Sequence, residues 1–359
     1  MSLMQPKILY FTKYSRNAGS SRLRSYQYIP YLEKAGFQVE VSPLFSETYL
    51  KALYAGKPTK RQALAGYAKR LVKIFTVGSY DRVVIEKELF PFLPAFAERF
   101  FHFFGIKYIV DYDDAVFHHY DRSSNPVVRT ILVKKIDAVM KYSACVVAGN
   151  TYLAERARSA GAKRIEIIPT VIDLARYPVR QKEAGGTPFV VGWIGTKTTF
   201  EKHLLPCREW LKQLQLEDPG LRVHIVGITS DMDLGPRVQY IPWTEETEVS
   251  EILKMDVGLM PLQDSPWEKG KCAYKLIQYS ACGIPGIASD VGMNREVTVP
   301  GETGILATTD EEWMQAVRTL KNNAEERLRM GQHARKKVEA LYSIQQTWRR
   351  WEEILNNAG

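Results

Sequence analysis

One stretch of the chain, residues 270–289, constrains the fold most strongly, because it contains a loop, a helix and a strand in that order. We predict a helix over 272–281, which Gly283 ends by supplying the left-handed position, while Pro285 prevents its continuation. An apolar run follows this helix, and another at 257–262 precedes it. The pattern therefore places the helix between two strands of a parallel sheet, whose ligands bind at the carboxyl ends of the strands.

The first turns of this predicted helix carry positive charge. At about 100° per residue, Lys271, Lys275 and Gln278 share one face, opposite the apolar side. Lysines normally favour the other end of a helix, because its N-terminus is already positive. Two cations at that end indicate a bound polyanion such as a diphosphate. A surface helix with two solvated lysines is the alternative interpretation.

The composition is that of an ordinary globular protein. The chain has 359 residues, 45% of them apolar and 25% charged, which suits two or three domains without extensive disorder. It has no run of 18 apolar residues, no signal-peptide core and no Cys-x-x-Cys spacing, so we expect a cytosolic protein without a disulfide framework or a zinc site. The net charge of +9 suits a nucleotide substrate or anionic lipid. The sequence shows no nucleic-acid-binding signature, so we expect no nucleic-acid partner.

Residues 1–172 alternate strand and helix patterns. Six apolar runs predict strands, at 7–11, 37–41, 81–85, 106–110, 143–149 and 164–169. Helical patterns between them, including one from Arg22 to Ala35, predict a Rossmann-like domain. The loop after the first run lacks the spacing Gly-x-Gly-x-x-Gly, so a dinucleotide-binding fingerprint is not present.

A change of pattern divides the chain. Residues 173–188 have no apolar periodicity and contain Gly and Pro, which predicts an interdomain linker. A second strand and helix alternation follows over 189–342. Two similar α/β halves joined by one linker predict a cleft between two domains. The terminal helix, 343–359, contains Trp348 and Trp351 and is expected to pack on the first domain; local packing on the second is the alternative.

Acidic side chains follow the fourth strand directly. Asp111, Asp113 and Asp114 come at its end, with His118 and His119 shortly after. Clustered acids are costly unless something uses them. From the residues alone two interpretations are open: a metal site, and a structural role in which Asp114 caps the next turn.

Motifs across both halves resemble a known family. The string GKCAYKLIQYSACGIPGIASDVGMNREV, followed by GETGILA and a helix containing Trp313, is similar to the donor-binding half of the retaining glycosyltransferases of family 4, the group 1 glycosyl transferases. The likeness covers nearly the whole chain and implies the α/β GT-B fold, with two Rossmann-like domains facing across a cleft. The usual family motif has two glutamates eight positions apart, whereas Gly270 and Gln278 occupy these positions here.

The resemblance implies a hexosyltransferase that retains the anomeric configuration and works without a metal or another cofactor. Its donor would be a nucleotide-diphosphate sugar, and its acceptor a glycan or a lipid-linked sugar of polysaccharide or lipopolysaccharide biosynthesis. The missing glutamates favour, as an alternative, a catalytically inactive GT-B protein that binds a nucleotide sugar or glycan as a partner subunit. A nucleotide-sugar epimerase on the same fold is a third hypothesis.

The resemblance also indicates donor-site residues. Thr196 stands where the family usually has an arginine, after Gly195, and either Lys197 or Lys202 can replace the missing charge. The spacing does not distinguish these two lysines. The predicted donor site consists of Gly195, Thr196, Lys197, Lys202, Lys271, Lys275 and Gln278.

The acceptor is expected in the first domain. Asp113 and Asp114 fall on the positions of a His-Asp pair that commonly faces the acceptor in this family, and we predict both as catalytic together with Lys271. The predicted acceptor-binding residues are Gly19, Arg22, Arg24 and His118. A simple turn at Gly19 and solvated arginines are the alternatives.

Residues 49–80 form a basic segment, with seven cations, no acid and many apolar side chains. Such a basic amphipathic segment is typical of a membrane-surface element. It predicts a cytoplasmic protein that contacts the inner face of a membrane peripherally. A solvated helix face is the alternative interpretation.

Overall fold

The computed structural model describes residues 5–181 and 188–357. Contacts between residues divide the chain into two compact units, one comprising Met1–Thr170 with Thr347–Gly359 and the other Val171–Gln346. Residues 182–187 of the predicted linker and 358–359 of the predicted terminal helix lie outside the described residues. Each unit is an α/β layer structure with its own six-stranded parallel sheet. The sequence predicts both α/β units.

The strands in the sheet of the first unit lie in the order β2-β1-β3-β4-β5-β6, and all neighbouring strands are parallel. All six predicted strands are present. Their bounds are β1 (Lys7–Tyr14), β2 (Gln38–Phe45), β3 (Arg82–Glu86), β4 (Tyr108–Tyr112), β5 (Cys145–Ala148) and β6 (Ile165–Ile167).

Helices connect these strands. They are α1 (Gly19–Ser21), a π-helical turn (Arg22–Tyr26), α2 (Ile29–Lys34), α3 (Glu47–Tyr54), α4 (Lys60–Ile74), α5 (Phe96–Phe103), α6 (His118–Asp121), α7 (Pro126–Leu132), α8 (Lys135–Tyr142) and α9 (Thr151–Ser159), with a 3-10 turn at Val77–Ser79. The single helix predicted from Arg22 to Ala35 is therefore interrupted. Asn150 caps α9 as the sequence pattern indicates, since its side chain accepts from the Leu153 N–H.

The strands in the sheet of the second unit lie in the order β12-β11-β10-β7-β8-β9, and all neighbouring strands are again parallel. Its strands are β7 (Phe189–Ile194), β8 (Leu221–Val226), β9 (Val238–Ile241), β10 (Val257–Met260), β11 (Gly286–Ser289) and β12 (Gly304–Ala307). Our sequence analysis did not predict β12 as a strand. This edge strand is short and follows an irregular segment, so its pattern is weak.

Its helices are α10 (Lys197–Thr199), α11 (Arg208–Glu217), α12 (Glu248–Ile252), α13 (Pro266–Lys269), α14 (Tyr274–Ala281), α15 (Asn294–Val297), α16 (Asp310–Asn322) and α17 (Ala324–Leu341). A π-helical turn at Phe200–Leu204 and 3-10 turns at Leu174–Arg176 and Leu205–Cys207 complete it. Gly283 has a φ of 71° after α14, which confirms the predicted helix end.

Strand order reverses once in each sheet, and we call that place the switch point. In the first unit β1 lies between β2 and β3, and in the second unit β7 lies between β8 and β10. The chain leaves the sheet on opposite sides of a switch point, so a crevice opens at the carboxyl ends of the two strands. The topology thus marks one binding crevice in each unit.

The terminal helix, α18 (Ile344–Asn357), ends in the first unit. Trp351 is fully buried there, and its ring centroid lies 6.5 Å from that of Tyr10 and 5.9 Å from that of Tyr28. The hydroxyls of Tyr28 and Thr347 are hydrogen-bonded at 3.0 Å. Within the first unit this helix covers the sheet face opposite the one that α4 and α5 cover.

The basic segment 49–80 contributes α3 and α4, and two of its cations have partners within the fold. Arg70 is buried and donates to the carbonyl oxygens of Thr12 and Ser42. Lys73 pairs with Glu40 at 2.5 Å. Arg70 is therefore not available for the predicted membrane contact, because its guanidinium ties the helix to the sheet. No helix in the described parts of the chain is both long and apolar enough to cross a membrane.

Candidate active-site clusters at the two switch points

At the switch point of the first unit, Glu86 ends β3 and joins the neighbouring strand ends. Its carboxylate accepts the backbone N–H of Lys13 at 3.0 Å and the hydroxyl of Ser21 at 2.7 Å. The hydroxyl of Ser20 also lies 3.2 Å from it. Burial raises the pKa of Glu86. This carboxyl group therefore fixes the loop after β1 against the end of β3.

Lys87 follows with a left-handed backbone, at a φ of 66°. Its ammonium group lies 2.8 Å from Asp113 Oδ1 and 3.9 Å from Asp114 Oδ2. The Ser20 hydroxyl is 3.1 Å from the ammonium and donates to Asp113 at 2.6 Å. A lysine rarely adopts this φ, which costs about 1 kcal/mol or more, and such strain is often found at functional sites. We call Ser20, Glu86, Lys87 and Asp113 the strand-end cluster.

Charge pairing sets the protonation of this cluster. Burial by itself would raise the pKa of Asp113, but the charges of Lys87 and Arg24 outweigh it and lower that pKa to about 2. The carboxylates of Asp113, Asp114 and Glu86 outweigh burial and raise the pKa of Lys87 far above its usual value. Asp113 is thus an anion and Lys87 a cation at neutral pH. Sequence reasoning missed Glu86 and Lys87, although the charged string Glu-Lys-Glu directly after an apolar strand was a usable signal.

The prediction that Arg24 binds the acceptor is wrong. It is fully buried, its Nε donates to Asp111 at 2.9 Å, and its Nη1 donates to the Ile168 carbonyl at 2.8 Å. A second guanidinium nitrogen pairs with the other Asp111 oxygen. Arg24 is therefore neither solvated nor available to an acceptor. The pair also explains how the chain tolerates Asp111 in a buried strand, since a bidentate arginine compensates the charge.

The other predicted acceptor residues have different environments. His118 is nearly buried, with its ring nitrogens 2.7 Å from Asp121 and 2.9 Å from the Tyr152 hydroxyl. This imidazole is engaged within the fold, whereas the half-buried His119 has its pKa lowered by burial and by Lys13. Arg22 is buried. Gly19 is exposed, and a Cβ there would meet nothing within 4 Å, so no contact within the protein requires glycine.

In the second unit, close packing positions α14 beside the switch point. A Cβ at Gly258 of β10 would lie 2.2 Å from the ring of Tyr279 on α14. The Tyr279 hydroxyl accepts the Ile194 N–H and donates to the Leu259 carbonyl, both at 3.3 Å. One tyrosine therefore connects α14 to the ends of β7 and β10. The helix starts two residues later than predicted, after Ala273 at a φ of 49°.

The two predicted lysines lie at the start of α14. Lys271 precedes the helix, with its ammonium 5.7 Å from the Trp267 ring centroid, and the ammonium of Lys275 is 5.4 Å from that of Trp193. Burial and the charge of Lys271 lower the pKa of Lys275 to about 8. Two cations held beside aromatic faces repel each other, and an anion between or beside them relieves this repulsion.

A third lysine belongs to the same region. Lys202 pairs with the buried carboxylate of Glu268 at 2.5 Å, and the Ser265 hydroxyl bonds the other oxygen. Burial would raise the pKa of Glu268, but the hydrogen bonds of Lys202 and Ser265 hold it below its usual value. Lys202, Lys271 and Lys275 each lower the pKa of His203, which burial brings to about 4. We call Lys202, Glu268, Lys271 and Lys275 the lysine cluster.

The loop after β7 borders this cluster. A Cβ at Gly195 would lie 2.5 Å from the Trp193 ring and 2.9 Å from Thr199 Oγ1, so only glycine fits. Thr196 and Thr199 form a capping box at the start of α10. Lys197 is exposed and lies 3.8 Å from Glu201, whereas Lys202 is drawn toward Glu268. Of the two lysines that the spacing left undistinguished, Lys202 is thus the one in the lysine cluster.

The prediction that Gln278 binds the donor is also wrong. It is buried, and its side-chain amide donates to the Tyr177 hydroxyl at 3.0 Å, which in turn donates to Glu248 at 3.0 Å. The periodicity placed Gln278 on the same face as Lys275, but the segment containing Tyr177 returns over that part of α14. Gln278 therefore holds the helix in place and does not face a donor.

No group of three or more His, Cys, Asp or Glu side chains within residues 5–181 and 188–357 is arranged to hold a metal ion. The acids considered as metal ligands each have a cationic partner, Arg24 for Asp111 and Lys87 for Asp113.

Part of the second unit, which contains the lysine cluster, matches a known protein family. Residues 199–337 match the model of one family. It is described as Glycosyl transferases group 1. The match includes α14 and the whole lysine cluster. No curated protein sequence matches the chain significantly.

Solved structures resemble the chain along nearly its full length. Sucrose-phosphate synthase from Thermosynechococcus elongatus has a TM-score of 0.70 at 14% identity, with 98% of both chains covered. Anabaena HepE in complex with UDP-glucose has a TM-score of 0.66 at 16% identity, covering 98% of this chain and 99% of that one. The lipopolysaccharide outer core galactosyltransferase WaaB gives 0.66 at 15% identity, with 98% of both covered. At such identities the likeness establishes the GT-B fold.

Proposed function

We propose that this protein is a glycosyltransferase that moves a sugar from a nucleotide-diphosphate donor to a glycan or lipid-linked acceptor. The observation that carries the proposal is the lysine cluster at the switch point of the second unit, within the segment that matches the group 1 glycosyl transferases. The HepE structure was solved with UDP-glucose, so a UDP-sugar is the first donor to test. Retention of configuration and polysaccharide or lipopolysaccharide acceptors belong to the same proposal.

In the proposed reaction, the bond between the anomeric carbon and the diphosphate oxygen breaks, and its electron pair stays on the phosphate. The acceptor hydroxyl oxygen forms the new bond to the anomeric carbon, and its proton passes to the leaving diphosphate oxygen. Lys271 and Lys275 stabilise the charge that develops on the leaving diphosphate, which ammonium groups can do without a metal ion. We propose that Asp113 and Asp114 orient the acceptor. With a pKa near 2, Asp113 is too weak a base to remove a hydroxyl proton unaided.

The cysteines support a reducing compartment for this reaction. All four, Cys145, Cys207, Cys272 and Cys282, are buried and free. Buried free thiols are typical of cytosolic proteins. We therefore propose that the protein works in the cytoplasm, where nucleotide sugars are available as donors.

Donor hydrolysis tests this function directly. The protein is screened for thermal stabilisation by a panel of nucleotide sugars, and the best ligand is then incubated without acceptor while free sugar is measured. Slow transfer to water is expected of an active transferase and not of a protein that only binds its ligand. The anomer released or transferred, followed by NMR, tests retention.

Two variants separate donor binding from acceptor chemistry. Lys271→Ala should weaken donor binding about tenfold or more, because it removes a charge-assisted hydrogen bond. Asp113→Asn should leave the donor dissociation constant unchanged while lowering transfer. Binding without hydrolysis or transfer would favour the inactive partner-subunit hypothesis, and unchanged donor binding by Lys271→Ala would place the donor elsewhere.

A further inference from the structure

Helix α4 exposes an apolar side. Its exposed apolar residues, including Phe75 directly after its end, are Leu64, Ala65, Ala68, Leu71, Val72 and Phe75. At about 100° per residue they occupy about 120° of the helix circumference. Lys60 and Lys69 lie near the two edges of this stripe, and Arg61 lies at its N-terminal end. These three exposed cations form no ion pair with any residue in the part of the chain that the structure describes.

Helix α5 exposes phenyl rings. Phe96, Phe100, Phe103 and the following Phe104 lie within about 100° of its circumference, and the Phe103 residue is 83% exposed. The rings of Phe100 and Phe104 are in contact, with centroids 4.4 Å apart. Arg99 lies at the edge of this group and is exposed. Our sequence analysis did not identify this face, because it considered only the charged segment before it.

The two helices are neighbours on one face of the first sheet. Tyr67 of α4 donates to the Pro91 carbonyl at 2.7 Å, and its ring centroid lies 5.7 Å from that of Phe90. Phe90 in turn stacks on Phe96 of α5 at 5.3 Å. Because both helices pack on the same core, their exposed sides point the same way, away from the sheet. We call the exposed residues of α4 and α5 the basic aromatic face.

The exposed charge around this face is mostly positive, although Glu40, Glu47 and Asp81 are exposed acids nearby. Among residues 48–110, the carboxylates Glu86, Glu88 and Glu98 are buried, and only Asp81 is exposed. The exposed cations of the same segment are Lys51, Lys57, Lys60, Arg61, Lys69, Arg99 and Lys107. Lys51 pairs with Glu47. An apolar, phenyl-rich surface with a cationic border complements an anionic lipid bilayer, whose interface accepts the rings while its headgroups attract the cations.

We propose that the basic aromatic face is the site at which this protein docks on an anionic membrane surface. The aromatic rings of α5 and the apolar stripe of α4 enter the headgroup region, and Lys60, Arg61, Lys69 and Arg99 contact lipid phosphates. This inference is independent of the transferase activity, because the surface binds lipid without a donor or an acceptor.

The test is co-sedimentation of the full chain with phosphatidylcholine vesicles that contain increasing phosphatidylglycerol. Binding should rise with anionic lipid and fall with salt. Changing Lys60, Arg61 and Lys69 to Gln should weaken it roughly a hundredfold, since each cation near an anionic surface contributes about fivefold. The matched control changes Arg208, Lys254 and Lys336, exposed on the second unit, to Gln and should bind as the parent does.

A second pair of variants tests the apolar contribution. Leu64→Ser with Phe103→Ser removes two side chains that are 74% and 83% exposed, and should weaken vesicle binding at least tenfold. Leu216→Ser with Leu341→Ser, 73% and 54% exposed on the second unit, should not. Absence of binding to anionic vesicles at low salt would overturn the proposal. The proposal would also be overturned if each control variant weakened binding as much as its test variant. Self-association abolished by Phe103→Ser, without lipid binding, would assign the face to a second copy of the chain.

Discussion

At the residue scale, the two clusters differ in how far their charges compensate one another. In the strand-end cluster, Lys87 and Asp113 are both nearly buried and neutralise each other at 2.8 Å. The lysine cluster is different, because Glu268 compensates Lys202 while Lys271 and Lys275 repel each other. An excess of buried or partly buried cation is costly without an anionic ligand. The pairing of Lys202 with Glu268 and the lowered pKa of Lys275 support our proposal that the second unit binds the donor diphosphate.

The lowered pKa of Lys275 predicts a pH-dependent affinity for UDP-glucose, whose diphosphate does not titrate near neutrality. In the proposed donor site the protonated lysine holds the diphosphate, so affinity should be highest below pH 8 and fall as the pH rises through about 8. Lys275→Met should lose about tenfold in affinity at pH 7 and lose this pH dependence as well. Calorimetric titration between pH 6.5 and 9 measures both effects.

Lys271→Ala provides the internal control for this profile. The charge of Lys271 lowers the pKa of Lys275, so its removal should move the inflection to higher pH while weakening binding overall. An inflection that persists in Lys275→Met would show that another group titrates.

At the element scale, glycines decide where helices can lie. Gly258 permits the ring of Tyr279 to rest on β10, and this contact fixes the start of α14 with its lysines. Gly66 has the same role in α4, since a Cβ there would lie 2.1 Å from the Leu44 carbonyl oxygen of β2. In both cases the helix approaches the sheet more closely than any side chain would allow.

Gly258→Ala should therefore destabilise the second unit and weaken UDP-glucose binding together. Overpacking of this kind costs about 1–3 kcal/mol, because the fully buried Tyr279 ring would have to shift to make room for the added Cβ. Urea unfolding and donor titration measure the two effects. Gly78→Ala is the matched control, since a Cβ there meets no atom within 4 Å. Equal midpoints for the two variants would contradict the assigned role of Tyr279.

At the scale of the whole molecule, the chain builds two units of the same architecture and then returns to the first. The segment Thr347–Gly359 belongs to the first unit although it follows the second in sequence. Trp351 lies between Tyr10 and Tyr28, so the sheet face of the first unit is completed by a segment that follows the second unit in sequence. The stability of the first unit therefore depends on the helix that contains Trp351.

Trp351→Ala should lower the stability of the first unit by about 3–5 kcal/mol, the usual cost of removing a fully buried tryptophan. Differential scanning calorimetry should show a transition at lower temperature. Trp348→Ala is the control, because Trp348 is only partly buried and its ring lies 6.0 Å from that of Tyr31. A shift of the same size in both variants would mean that the helix is held by its surface and not by Trp351.

The sequence by itself determined the two α/β units and eleven strands, because apolar runs, turn residues and helix ends are local signals. It also indicated Lys271 and Lys275 as candidate ligands of a polyanion. The end of α14 at Gly283 was predicted for the same reason, since a left-handed glycine acts within a few residues.

Only the tertiary structure decided what each polar side chain faces. Arg24 and Asp111 are 87 residues apart, and Lys202 and Glu268 are 66 apart, yet each pair is in contact. Gln278 shares a helical face with Lys275 but is covered by Tyr177. Periodicity gives the direction of a side chain on its own helix, whereas burial depends on which distant segment packs against that face.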